Sequence, residues 1–178
     1  LPYPGGSSVI VEQLAQNFTR DELVVLGGAP FFQQKTLERP ANTPEFIYFP
    51  CEFTLWGRGY HYFKWMLRWQ FKPLINKIKQ LVAEHQIDYI IGVFPTDFFC
   101  HAACRAAQEL GIPFSSYFHN TYLENAKITD PKAPAIQAEI FEHSEHIFVM
   151  SKGMKTFYEE KYGLRKFVPL VHTFDEYP

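Results

Sequence analysis

Residues 87–120 read IDYIIGVFPTDFFCHAACRAAQELGIPFSSYFHN, and the fold turns on how this stretch is parsed. "DYIIGVF" and "FSSYF" are short apolar runs without strict polar alternation, the pattern of strands buried on both faces. Between them, "FCHAACRAAQEL" is alanine-rich with helical spacing, and "LGIP" supplies a glycine just past its end. Strand, helix and strand in this order predict a parallel pair joined by a helical crossover. Polar residues follow both strands: Pro95, Thr96 and Asp97 after the first, His119 and Asn120 after the second.

The same alternation extends in both directions. Further strands are predicted at "ELVVL", "EFIYF", "HIFVM" and "KFVPLV", and further helices at "SSVIVEQLAQNF", Tyr60 to His85, "PKAPAIQAEIFEH" and "KGMKTFYEEKY". "YGL" places a glycine past the last of these helices. The expected fold class is α/β: a mostly parallel sheet with helices on both faces. The long helical stretch carries one apolar face through Phe63, Met66, Leu67, Phe71, Leu74, Ile75, Ile78, Leu81 and Val82. Pro73 falls inside it, which predicts a kink or two helices meeting near Trp69. A second stripe of Lys64, Arg68 and Lys72, with Trp65 and Trp69 beside it, suits either a solvated basic face with core-capping tryptophans or an anionic membrane surface.

Composition bounds the function. A length of 178 residues allows one domain with a sizeable core, and 47% apolar with 20% charged residues is a globular balance rather than a disordered one. A net charge of -2 gives no electrostatic footprint for nucleic acid. With no membrane-length apolar run and no signal-peptide pattern, the expected compartment is the cytoplasm. Cys51, Cys100 and Cys104 form an odd set without a CxxC pair. Cys100, His101 and Cys104 lie within one helical turn, but small cysteines on an alanine-rich helix pack against a sheet, and a four-ligand metal site lacks partners. No metal is expected.

In an open parallel sheet, ligands bind beyond the carboxyl ends of the strands, near the point where strand order reverses. That rule selects Pro95, Thr96, Asp97, His119, Asn120, Ser151 and Lys152. The N-terminal "PYPGGSS" joins them if a strand precedes it: Gly5 and Gly6 can bring bare N–H groups to a phosphate, with Ser7 or Ser8 capping the helix behind. A tight turn before a capped helix is the plain alternative. The loop is neither a dinucleotide fingerprint nor a Walker loop, since "PGGSSV" lacks G-x-G-x-x-G and no GK[ST] follows.

"PYPGGSSVIVEQLAQNF", "IDYIIGVFP", "ELGIPFSSYFHN" and "SEHIFVMSKGMKTFYEEKYGLRKFVPLVHTFDEYP", in this order, resemble the N-terminal half of GT-B glycosyltransferases of family 4. The resemblance implies a Rossmann-like half of a GT-B fold over residues 1–178. It also implies retaining transfer from a nucleotide-sugar donor to a sugar or lipid-linked acceptor, without a metal. In such enzymes the donor sits mainly in a C-terminal domain bearing an E-x7-E motif, which this sequence does not contain. The chain then reads as an isolated N-terminal domain, short also of its first strand and inactive alone. Carried over by position, Gly5 and Gly6 face the donor diphosphate and His119 contacts donor sugar or acceptor. Thr96, Asp97 and Asn120 are acceptor contacts, with a helix cap as the competing role for Thr96 or Asp97. Gly5, Gly6 and His119 are expected to border one groove, while Glu124 is left to either the cleft or solvent. "VHTFDEYP" stands where the family has an Asn-Gly-Val-Asp turn, with Asp175 as the aspartate equivalent. A related nucleotide-sugar epimerase and a non-catalytic phospholigand-binding module are the alternatives.

Overall fold

A computed structural model of the chain describes the backbone of residues 6–30, 43–52, 60–94, 97–124 and 130–170, and their side chains except at 6–8, 30, 51–52, 60–68 and 97. The elements alternate as the hydrophobic pattern predicts. They are α1 (Gly6–Ala15), β1 (Val24–Pro30), β2 (Glu45–Glu52), α2 (Tyr60–His85), β3 (Ile90–Phe94), α3 (Asp97–Leu110), β4 (Phe114–Phe118), α4 (Ala133–His143), β5 (Ile147–Val149), α5 (Lys152–Tyr162) and β6 (Phe167–Pro169). The chain divides into two compact units, Leu1–Leu74 and Ile75–Pro178.

In the first unit, β1 and β2 pair in parallel, from Val24 against Glu45 to Gly28 against Phe49, with an irregularity between Ala29 and Pro30. Ala15, Ala29 and Phe49 are buried there. α1 begins at Gly6, so Ser7 and Ser8 lie within its first turn rather than at its cap. The helix therefore starts two residues earlier than a Ser7 cap would allow, at the second glycine of the pair.

In the second unit, four parallel strands run in the order β3-β4-β5-β6. Ile90 pairs with Phe114, Ser116 with Ile147, and Ile147 with Phe167. Each strand reaches the next through one helix, as parallel connections require. β4 is buried at every position, as expected for an interior strand covered on both faces. Its two serines are neutralised internally. Ser115 Oγ lies 2.6 Å from the Tyr89 hydroxyl and accepts from His146 N, while Ser144 Oγ donates to Ser116 Oγ at 2.8 Å. Hydroxyls buried without such partners would cost free energy.

α2 is a single helix through Pro73, not two. Pro73 and the neighbouring Trp69 are exposed, so the proline sits on the solvent side of the helix rather than against packed neighbours. The unit boundary falls at Leu74 and Ile75, just past the proline. Of the predicted apolar face, Leu74, Ile75, Ile78 and Leu81 are buried. Phe71 and Val82 are half-buried, and the side chains of Phe63, Met66 and Leu67 lie outside the described residues. The helix stops are those the glycines announce. Gly111 after α3 has φ 67° and Gly163 after α5 has φ 70°, left-handed values that other residues rarely adopt.

Candidate functional site

The carboxyl ends of parallel neighbours share one edge of a sheet, and the second unit gathers there the residues that follow β3, β4 and β5. Pro95 and Thr96 lie outside the described residues. Asp97 is the first residue of α3, with its side chain not described. Asn120 is exposed on the rim, as are Met150 and Lys152. Ser151 is committed to structure: its backbone is extended and its hydroxyl accepts from Met154 N at 3.1 Å, capping α5.

His119 follows the last residue of β4 directly and is only 6% exposed. Its ring lies 6.0 Å from that of Tyr117, a residue buried enough to push its hydroxyl up to about 12. The histidine is therefore more enclosed than a strand-end position suggests. Strand order in this sheet does not reverse, so the switch-point rule singles out no crevice within it. Position at the carboxyl edge is what His119, Asn120 and Lys152 share. Gly5 lies outside the described residues and Gly6 opens α1, so the groove expected between the glycines and His119 rests on residues the structure does not describe. The same holds for Asp175 and the rest of 171–178.

What the sequence did not reveal is how the segment after His119 is held. Tyr122 is buried with its ring 4.9 Å from that of Phe94, which stacks at 5.2 Å on Phe118. Glu124, left by the sequence to the cleft or to solvent, is turned onto α5. Its carboxylate accepts from Lys161 Nζ at 2.6 Å, the Tyr162 hydroxyl at 2.9 Å and the Tyr158 hydroxyl at 3.2 Å. Burial by itself would raise the Glu124 carboxyl, but the Lys161, main-chain and Tyr162 hydrogen bonds outweigh it and hold the group below its ordinary value. Burial first, and the nearby carboxylate second, push the Tyr158 hydroxyl up. The Tyr162 hydroxyl moves the same way, chiefly through burial. The signal was present in the spacing of 158, 161 and 162, which puts two phenols and an ammonium on one face of a helix. Nothing local told which carboxylate they would meet.

The cysteine-histidine turn of α3 is structural. Cys100 and Cys104 are fully buried, and the Cys100 thiol donates to the Gly92 carbonyl at 3.5 Å. Desolvation pushes the Cys104 thiol up to about 11, which keeps it neutral and unreactive. His101 Nε2 lies 3.1 Å from Glu139 Oε2 on α4. Among the described residues, no group of three or more His, Cys, Asp or Glu side chains is placed to hold a metal ion. Nor is any described helix long and apolar enough to cross a membrane.

Parallel strands linked through helices, with a histidine and polar residues at their carboxyl edge, define a Rossmann-like α/β fold. Within that class the sequence decides. The family model described as Glycosyltransferase Family 4 matches residues 4–174, nearly the whole chain, and the chain belongs to that family. No curated protein matched the sequence significantly.

Proposed function

We propose that this chain is the acceptor-side, N-terminal domain of a retaining glycosyltransferase that moves a sugar from a nucleotide-sugar donor to a sugar or lipid-linked acceptor. The observation that carries the reading is family membership across residues 4–174, which spans the glycine pair and His119 alike. Gly5 and Gly6 present main-chain N–H groups to the donor diphosphate, helped by the positive end of α1. His119 meets donor sugar or acceptor through the small part of it that reaches the surface, with exposed Asn120 beside it. Thr96 and Asp97, at the opening of α3, hold the acceptor.

The chemistry asks the protein to orient two substrates and to stabilise a departing nucleoside diphosphate. Polarised amides and a histidine suffice for that, so the reading requires no metal. The donor-binding half comes from a second domain, and residues 1–178 alone do not transfer sugar. The site of action is the cytoplasmic side of a membrane, met peripherally through Lys64, Trp65, Arg68, Trp69 and Lys72. Trp69, 74% exposed, and exposed Lys72 support that contact.

The test incubates the full-length protein with a panel of nucleotide sugars, with and without sugar and lipid-linked acceptors, the latter in anionic or neutral vesicles. Expected are an acceptor-dependent product with the donor's anomeric configuration, faster with anionic vesicles, and its loss in His119→Ala. Epimerised free sugar formed without acceptor would replace the reading with an epimerase. An inverted product would remove the retaining assignment.

A further inference from the structure

We propose that Glu124 is a positioning residue for His119, latching the segment that carries the histidine out of β4 onto α5. The importance of His119 rests on the transferase reading above, whereas the latch stands on geometry. The segment 119–124 is tied to α5 through the three donors on the Glu124 carboxylate, while the buried Tyr122 packs its ring against Phe94. All those α5 groups come from Tyr158, Lys161 and Tyr162, one face of one helix.

The direction of each proton in this network is determined. An ionised carboxylate only accepts, so both phenols donate to Glu124. The Tyr162 oxygen is then left as an acceptor, and Gln137 Nε2 on α4 donates to it at 2.8 Å. α4, α5 and the segment 119–124 thereby form one connected chain of directed hydrogen bonds. Apolar packing of Tyr122 alone would hold the segment down without fixing where along α5 it lies. Directional bonds to three side chains fix that register as well.

The helix that receives the latch is itself fixed at both ends. Ser151 caps its start, on the same sheet edge as His119, and left-handed Gly163 ends it. Glu124 therefore sets the position of His119 relative to the rim residues Ser151 and Lys152, though no contact between Glu124 and His119 is needed. Loosening the latch moves His119 before it unfolds the sheet, which separates a positional role from a purely structural one.

The test reads the imidazole signals of histidine-labelled full-length protein by NMR, with His119 assigned through His119→Asn. In Glu124→Ala the His119 signals shift or broaden while those of His101, His143 and His146 stay, and the Tyr122 amide exchanges at least roughly tenfold faster. Tyr162→Phe, which removes one donor, gives an intermediate change. A core variant matched in Tm, Ile140→Val, leaves His119 unmoved. If the matched core variant moves His119 as far, or if folded Glu124→Ala leaves it and Tyr122 unchanged, the proposal is wrong. Should Glu124→Ala fail to fold, Tyr162→Phe and Lys161→Met carry the same comparison. None of these readouts needs sugar transfer, so a protein inactive with every nucleotide sugar would remove the transferase reading and leave the latch standing. Where transfer is measured, Glu124→Ala lowers kcat about 10–100-fold with KM for the donor little changed. A raised KM at unchanged kcat would overturn the positioning role.

Discussion

Where α3 lies on β3 and β4 the contact is made of alanine, glycine and cysteine. Where α4 and α5 lie on the sheet it is made of phenylalanine and tyrosine. On the α3 side, Cys100, Ala102, Ala103, Cys104, Ala106 and Ala107 are buried, and a methyl group added at Gly92 would stand 2.9 Å from the Phe114 ring and 3.0 Å from Cys100 Sγ. On the other side, the Phe141 ring is surrounded by those of Phe118, Tyr162, Phe167 and Tyr158, with centroids 5.2, 5.2, 5.4 and 5.8 Å away. Small residues bring main chains together and leave no room for error. Large rings fill a wider gap, and those ending in hydroxyls carry a polar network to the rim of the aromatic cluster.

The comparison predicts opposite sensitivities. Phe141→Ala empties the hub of the aromatic cluster and should cost about 3–5 kcal/mol, read from the urea midpoint at constant m. Gly92→Ala overfills the α3 contact and should cost about 1–3 kcal/mol, part of it recovered by adding Cys100→Ala, which withdraws one of the two opposing groups. A Gly92→Ala variant as stable as wild type would show that the α3 contact is not tight. A Phe141→Ala variant that loses less than Gly92→Ala would reverse the order of the two regions.

The two regions also differ in how far they can be read without coordinates. The alanine-cysteine stripe at helical spacing between two apolar runs announces both helix and strands, and Gly111 and Gly163 announce where α3 and α5 stop. Those are local signals, carried by period and by backbone sterics. The partners of Glu124 lie 34 to 38 residues away, and the bond from Gln137 to Tyr162 crosses 25. No periodicity encodes such meetings. His119 shows the same limit: its place after β4 is legible, but its near-complete burial is set by neighbours that only the folded chain brings together. Pro73 leaves a kink or a break open, and there is no break, because a proline whose surroundings are exposed removes one donor without ending the helix.

The polar network of the aromatic region gives a sharper test through pH. Glu124 is held below its ordinary value of 4.5, so it contributes stability that is fully present above that value and is lost as pH falls through the lower folded value. Hydrogen bonds to a charged group are worth about 1.5–3 kcal/mol, which sets the expected cost of Glu124→Gln near neutrality at about 2 kcal/mol. The stability difference between wild type and Glu124→Gln should be flat from pH 7 down to about 4.5 and shrink below it. Urea midpoints across that range check the sign. A difference that widened on acidification would mean that the carboxyl is raised rather than lowered in the folded protein.

The α3 region has its own carboxylate cluster, and it should matter least. Glu139 on α4 takes Arg105 in a two-pronged contact, Nε at 2.5 Å and Nη2 at 3.0 Å, with His101 at 3.1 Å and Gln108 at 3.4 Å. In the number of partner residues it matches Glu124. Yet the Arg105 side chain is 47% exposed and that of Glu139 20%, against 16% for Glu124, whose partners include the fully buried Tyr158. Water competes for the arginine in both the folded and unfolded chain, so a surface pair of this kind contributes about 0–1 kcal/mol. Glu139→Gln should therefore cost less than about 1 kcal/mol. The loss should fade further as salt rises toward 1 M, where screening acts over about 3 Å. The Glu124→Gln loss, shared with the hydroxyls of buried Tyr158 and half-buried Tyr162, should fade less at high salt. Equal losses at Glu139 and Glu124, or equal salt dependence, would mean that the number of partners rather than their burial decides what a carboxylate contributes here.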